Sequence, residues 1–154
     1  MNFVLKLIGT FAFTGFFPIA PATFASFVFL LLYGFAPGGE LLAHPLVALV
    51  TLVLSIPIST RLEKTYGHDA GRIVIDEIVG LQVILVAAEP TTVGLVLVFF
   101  LFRLFDIVKP YPAGRAQKLP TGLGVVTDDF VAGLYTRLVL VAVAFFYPGI
   151  GSFL

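Results

Sequence analysis

Apolar runs fill most of this chain and leave few positions from which a water-facing surface could be built. They cover residues 22–36, 45–60, 73–88, 91–108 and 127–147, with a further run at 2–17. A helix on the surface of a soluble protein repeats a polar face every 3.6 residues. These runs carry only isolated hydroxyls and a few charges near their ends. The chain is 59% apolar and 12% charged, whereas soluble domains average roughly 45–50% and about 25%. Lipid is therefore the solvent that suits it. Apolar runs without alternation do not make a membrane barrel. The expected fold is all-α: a compact integral-membrane helical bundle of about five spans, forming one domain over residues 1–154. Several runs fall short of the roughly 20 residues of a full span, so the membrane reading rests on five of them occurring together. Residues 2–17 are expected to lie in the interface or to re-enter the bilayer.

Charge and cysteine content exclude several functions. The formal net charge is zero, which argues against a nucleic-acid partner. The chain has no cysteine, so disulfides, thiolate metal sites and a cysteine nucleophile are excluded. Lys6 is the one basic residue at the start, no A-x-A site follows, and apolar sequence resumes after Pro18 and Pro21. A cleaved signal peptide is therefore not expected. Lys6, Arg61, Lys64, Arg72, Lys109, Arg115 and Lys118 fall in the N-terminal segment, the 61–72 connector or the 109–118 loop. The turns at 37–44 and 88–92 hold no Lys or Arg, only Glu40 and Glu89. The positive-inside rule then puts the 61–72 and 109–126 loops in the cytoplasm.

The polar stretch from Arg103 to Phe130 is where chemistry is expected. Six of the nine carboxylates, Asp69, Asp76, Glu77, Asp106, Asp128 and Asp129, fall at the ends of three predicted helices on one side. Two carboxylates about 4 Å apart repel by roughly 4 kcal/mol at an effective dielectric near 20. Such a cluster beside a low-dielectric core calls for a cation or a proton. Oxygen ligands without cysteine and with few histidines suit Mg2+ before Zn2+. Arg103, Lys109, Arg115 and Lys118 lie beside or within the loop, and Thr121-Gly122-Leu123-Gly124 offers backbone N–H groups that could approach an anion. Together these make a site for a phosphate ester.

Plainer roles compete. Thr127 could cap the last helix, with Asp128 and Asp129 only favouring its dipole. Asp69 could cap the 73–88 helix, and Arg103 with Asp106 could be a helical ion pair alone. Glu63 and Lys64 read as solvated connector charges, and His68 as an interfacial residue. Arg137, deep in the last helix, could pair with an inward acid or reach for the surface.

Three blocks resemble the motifs of the phosphatidylglycerophosphatase A family: D-A-G-R-I-V-I-D-E-I-V-G (69–80), F-R-L-F-D-I-V-K-P-Y-P (102–112) and G-L-G-V-V-T-D-D-F-V-A-G (122–133). P-A-T-F-A-S (21–26) resembles that family's P-G-T-x-G-S block, with Ala22 and Ala25 in place of glycines. The resemblance covers about residues 15–135. It implies a Mg2+-dependent, multi-pass phosphatase of the bacterial inner membrane, with its site on the cytoplasmic side. The substrate it implies is phosphatidylglycerophosphate, whose terminal phosphate is removed to give phosphatidylglycerol. It carries metal roles to Asp69, Asp76, Glu77, Asp106, Asp128 and Asp129, and catalytic roles to Asp76, Glu77, Asp128 and Asp129 among them. It carries phosphate contacts to Arg103 and Lys109, and to Thr23 and Ser26.

The expected mechanism is direct attack by a metal-activated water, with a carboxylate as general base. No D-x-D-x-T motif supports an aspartyl-phosphate route, and neither His44 nor His68 has a phosphohistidine context. Three rivals remain: a CDP-alcohol phosphotransferase, whose D-G-x-x-A-R signature is absent; an ion or proton transporter, since intramembrane acids mark ion pathways; and a purely structural membrane protein.

Overall fold

The protein was analysed as a computed structural model that describes residues 2–89, 91–117 and 119–146. Pro90, Lys118 and Tyr147, the end of the apolar run 127–147, lie outside them. Among the described residues there is no strand. The helices are α1 (Phe3–Gly9), α2 (Pro21–Phe35), α3 (Pro45–Tyr66), α4 (Ile75–Leu85), α5 (Thr92–Val108), α6 (Ala113–Ala116) and α7 (Gly122–Phe146), with 3-10 turns at Thr14–Phe16 and Gly39–Ala43. Pro21 and Pro45 open α2 and α3 at first-turn positions, where a missing N–H costs nothing. Thr91 caps α5 by accepting from the Gly94 N–H.

Helix α4 is the centre. Every residue of it except Val83 is buried, and α7, α3, α2 and α5 all pack on it. The surrounding helices reverse the usual soluble pattern. Phe27 and Leu31 on α2, Leu49 and Val53 on α3, Phe100 and Leu104 on α5, and Leu138 and Phe145 on α7 are exposed, while Ser26, Ser55, Ser59 and Thr136 are buried. A surface this apolar suits hydrocarbon.

Two helices, α3 and α7, are long and apolar enough to cross a membrane. The expectation of about five spans is met only to that extent. With 15, 11 and 17 residues, α2, α4 and α5 fall short of about 20. At 1.5 Å per residue α4 is about 16 Å long, half of a hydrocarbon core of roughly 30 Å.

Three boundaries differ from expectation. Helix α3 continues through residues 61–66, taken above as connector, because Leu62 is buried in the second core cluster with Ile58. Gly67, at φ +99°, then ends it. Helix α4 is shorter than 73–88, and its end explains Arg137: that guanidinium donates to the carbonyls of Val83 (3.1 Å), Ile84 (3.2 Å) and Val86 (2.6 Å). It satisfies the orphan carbonyls of a buried helix C-terminus.

Helix α7 starts at Gly122, five residues before the expected Thr127. Gly122 and Gly124 therefore serve contact. A Cβ on Gly122 would sit 2.6 Å from the Ile56 carbonyl oxygen on α3, and the Gly122 N–H donates to Thr60 Oγ1 at 3.1 Å.

Helices α4 and α7 touch through glycine. A Cβ on Gly80 would meet Phe102 Cζ at 2.6 Å and the Asp129 carbonyl oxygen at 2.8 Å, and one on Gly133 would collide with the Gly80 carbonyl. Small residues allow such backbone approach in membrane helices.

The N-terminal segment folds back on itself. Helix α1 has seven residues, about 10 Å, and ends in a left-handed turn at Phe11, Ala12 and Phe13. That turn brings the Phe13 ring 5.9 Å from Phe3. The Val74 N–H donates to the Gly9 carbonyl at 3.0 Å, tying this segment to the loop before α4.

Candidate functional site

The first turn of α4, the C-terminal end of α5, the second turn of α7 and the loop before α4 meet around one cleft of about 290 Å3. Asp76 and Glu77 enter from the first turn of α4, where the helix dipole favours negative charge. Arg103 and Asp106 come from the last turns of α5, Lys109 from its C-cap, and Asp128 and Asp129 from α7. Asp69 comes from the loop, where its φ of +51° turns the chain. All six carboxylates singled out from the sequence line this cleft, as do Arg103 and Lys109.

Helix start positions decide between the competing roles. Thr127 Oγ1 donates to the Leu123 carbonyl at 2.6 Å inside α7, so it does not cap the helix. Asp128 and Asp129 sit beyond the first turn and are each 4% exposed. Asp69 does not cap α4, whose N-cap is Val74. It accepts from Gln117 Nε2 at 2.5 Å. No sequence signal marked Gln117 beyond its place in the loop.

Arg103 pairs with Asp106, as the helical spacing allowed, and with more. Its two terminal nitrogens reach Glu77 Oε2 at 2.6 Å and Asp106 Oδ2 at 2.9 Å, so one guanidinium holds an acid from each of two helices. Its buried Nε has no partner. Lys109 pairs with Asp128. Partial burial works against the Lys109 ammonium, but the hydrogen bond and charge of Asp128, with Asp106 and Asp129 nearby, hold its pKa above the usual lysine value.

Ser26 is buried and donates to Glu77 Oε2 at 3.3 Å. It orients a carboxylate and lies outside the cleft lining, as does Thr23. The α2 residue that does line the cleft is Ala22. His68 is exposed and bonded to Glu63 at 2.6 Å, away from the lining, and Arg115 lies over the Tyr111 ring at 5.0 Å. The expected anion cradle at 121–124 is instead the packed start of α7.

The donor set fits a hard cation. Glu77, Asp106 and Asp129 each offer an oxygen, and these oxygens lie within 4.8 Å of one another. Asp76 Oδ1 is buried without a partner. Six carboxylates face Arg103 and Lys109, and burial of four of them, Asp76, Glu77, Asp128 and Asp129, makes the excess negative charge costly; an all-oxygen set matches Mg2+ chemistry.

The family model "Phosphatidylglycerophosphatase A" matches residues 7–144. A Bacteroides thetaiotaomicron protein provisionally named phosphatidylinositol-3-phosphatase is 38% identical over 93% of this chain and 94% of its own. Phosphatidylglycerophosphatase A of Escherichia coli K12 is 29% identical over 88% of this chain and 80% of its own. The Haemophilus influenzae protein of that name is 40% identical over 80 residues, 51% of this chain and 49% of its own. No solved structure matches the chain.

Proposed function

Because the chain belongs to the phosphatidylglycerophosphatase A family, we propose that it hydrolyses the terminal phosphate monoester of phosphatidylglycerophosphate with Mg2+ and without a covalent intermediate. As a family member it is a phosphatidylglycerophosphatase, a phosphoric monoester hydrolase. The observation that carries the finer reading is the gathering of six carboxylates, Arg103 and Lys109 around one cleft. Glu77, Asp106 and Asp129 are the residues to hold the ion, with Asp76 beside them. Mg2+, when bound, supplies positive charge to the phosphoryl oxygens and makes a nearby water more acidic.

The rest is done by the chain. Arg103 fixes Glu77 against Asp106, so the two acids keep their spacing with or without substrate. Lys109 and Arg103 bring positive charge to equatorial oxygens as the phosphoryl group flattens. A carboxylate of the set Asp76, Glu77, Asp128 and Asp129 takes the proton of the attacking water. His68 is absent from the cleft lining and bonded instead to Glu63, which supports a route without a phosphohistidine.

The membrane account follows the same reading. Helices α3 and α7 cross the bilayer, α2 and α5 complete a multi-pass bundle, and the cleft faces the cytoplasm of a bacterial inner membrane. Support comes from the apolar outer faces and from the basic residues of the 61–72 and 109–118 segments. A transporter fits less well, because the acids gather at one end of the bundle while Arg137 caps α4 at the other. The name of the Bacteroides relative favours a second lipid monoester, an inositol 3-phosphate. Phosphate release by purified protein from phosphatidylglycerophosphate and from phosphatidylinositol 3-phosphate, each with and without Mg2+, tests both. Mg2+-independent hydrolysis would overturn the metal role, and a preference for the inositol lipid would move the substrate.

A further inference from the structure

A second cavity lies on the same seam as the cleft. Helices α2 and α5 pass each other in opposite directions: α2 leaves the cleft at Ala22, and α5 arrives at it through Arg103 and Asp106. Farther along the same pair, a groove of about 400 Å3 opens between them. Its walls run from Phe27 to Phe35 on α2 and from Thr92 to Phe100 on α5, and Thr92 is the one polar residue among them. Phe27 is five residues beyond Ala22, and Phe99 four before Arg103, so the groove begins about 6–8 Å from the cleft along the helix axes. Leu30 and Leu95 are buried at its floor, while Phe27, Leu31 and Phe100 are exposed at its rim. It therefore opens sideways, to the surface that faces lipid.

We infer that this α2/α5 groove is an acyl-chain subsite, holding one hydrocarbon chain of the lipid whose phosphate enters the cleft. The inference rests on the lipid-monoester reading above. A molecule with a charged head and an apolar tail fits a charged cleft and an apolar groove aligned on one seam. The hollow between α3, α4 and α7 is a poorer host, because it lies off this seam and is lined by Arg137 and Gln82, which would set an alkyl chain against a guanidinium and an amide. Leaving the bilayer for the groove brings the chain no hydrophobic gain, since lipid tails are as apolar as leucine. The groove acts through position. A chain held there fixes the depth and angle at which the phosphate meets the carboxylates, and misplacement by about 1 Å can cost on the order of 100-fold in rate.

Leu31→Trp and Val96→Trp narrow the groove from exposed rim positions, and Leu138→Trp adds the same bulk to the outer face of α7. The substrates are long-chain phosphatidylglycerophosphate and its deacylated headgroup, in detergent. Both groove variants should lower kcat for the long-chain lipid by about 10- to 100-fold, the scale of a misplaced reacting group. They should leave hydrolysis of the headgroup unchanged, and Leu138→Trp should alter neither. Equal effects of all three variants, or equal losses on both substrates, would overturn the subsite. Crosslinking with phosphatidic acid carrying a diazirine near its chain end keeps this separate from the activity. Adducts should map to 27–35 and 92–100 in wild type and fall in the groove variants. Labelling spread evenly around the outer surface would overturn the subsite even in an active enzyme. Labelling confined to the groove, in a protein inactive on phosphatidylglycerophosphate, would leave the groove standing and remove that substrate.

Discussion

Replacing Asp129 by asparagine separates a structural carboxylate from a metal-holding one. Asp129 lies inside α7 and is 4% exposed, with an oxygen within 4.8 Å of oxygens from Glu77 and Asp106. At that spacing two ionised carboxylates repel by about 3–4 kcal/mol at an effective dielectric near 20. Arg103, bound to Glu77 and Asp106, offsets part of this. Asparagine keeps the shape and removes the repulsion. In Mg2+-free buffer Asp129→Asn should therefore melt at or above the wild-type temperature. With Mg2+ the order should reverse, because wild type gains binding free energy that the variant lacks. Hydrolysis should fall by about 10²–10⁴, the scale of one electrostatic or general-base contribution. The assays are thermal melting in detergent with and without Mg2+, and phosphate release from phosphatidylglycerophosphate. An Asp129→Asn protein that melts lower than wild type without Mg2+, gains as much from the ion and hydrolyses within about threefold of wild type would refute the reasoning.

Further outcomes follow from the same contacts. Asp106→Asn should weaken Mg2+ binding in calorimetric titration, and unchanged affinity would remove Asp106 from the ligand set. Arg137→Ala leaves the part-buried carbonyls of Val83, Ile84 and Val86 without their donor, at a cost of about 1 kcal/mol or more, read as a lower melting temperature with KM for the lipid little changed. Gly133→Ala drives a methyl into the Gly80 carbonyl and should lower both melting temperature and turnover, whereas Gly38→Ala in the 37–44 turn should reduce stability alone. Cysteines placed at Thr65 and Arg115 in this cysteine-free chain should resist an impermeant maleimide in intact cells, and rapid labelling would reverse the topology.

The acids were legible because burial in an apolar chain makes any charge conspicuous. Asp76, Glu77, Asp106, Asp128 and Asp129 each interrupt or border a hydrophobic run, and their meeting required only that the ends of three helices lie together. The start of α7 was illegible because glycine is a poor helix former. Its value at 122 and 124 comes from the backbones of Ile56, Thr60 and Gln117, which sequence spacing does not display. Arg137 gave no sign of its partners, since backbone carbonyls belong to every residue equally. Ser26 was read as a phosphate contact from its motif, while its hydroxyl bonds Glu77, an acid 51 positions away. The extension of α3 past Thr60 was hidden by the charges of 61–64, which mask the single buried Leu62.

The glycine contact between α4 and α7 also sets which changes of chain length the protein can inherit. Gly80 follows Glu77 by three residues and Gly133 follows Asp129 by four, so each half of the contact sits about one turn from an acid of the cleft. Inserting or deleting one residue between Glu77 and Gly80, or between Asp129 and Gly133, rotates the acid about 100° relative to the contact and shifts it 1.5 Å. The helix can then keep its crossing or its carboxylate in place, but not both. Indels should therefore be rejected within these two short intervals.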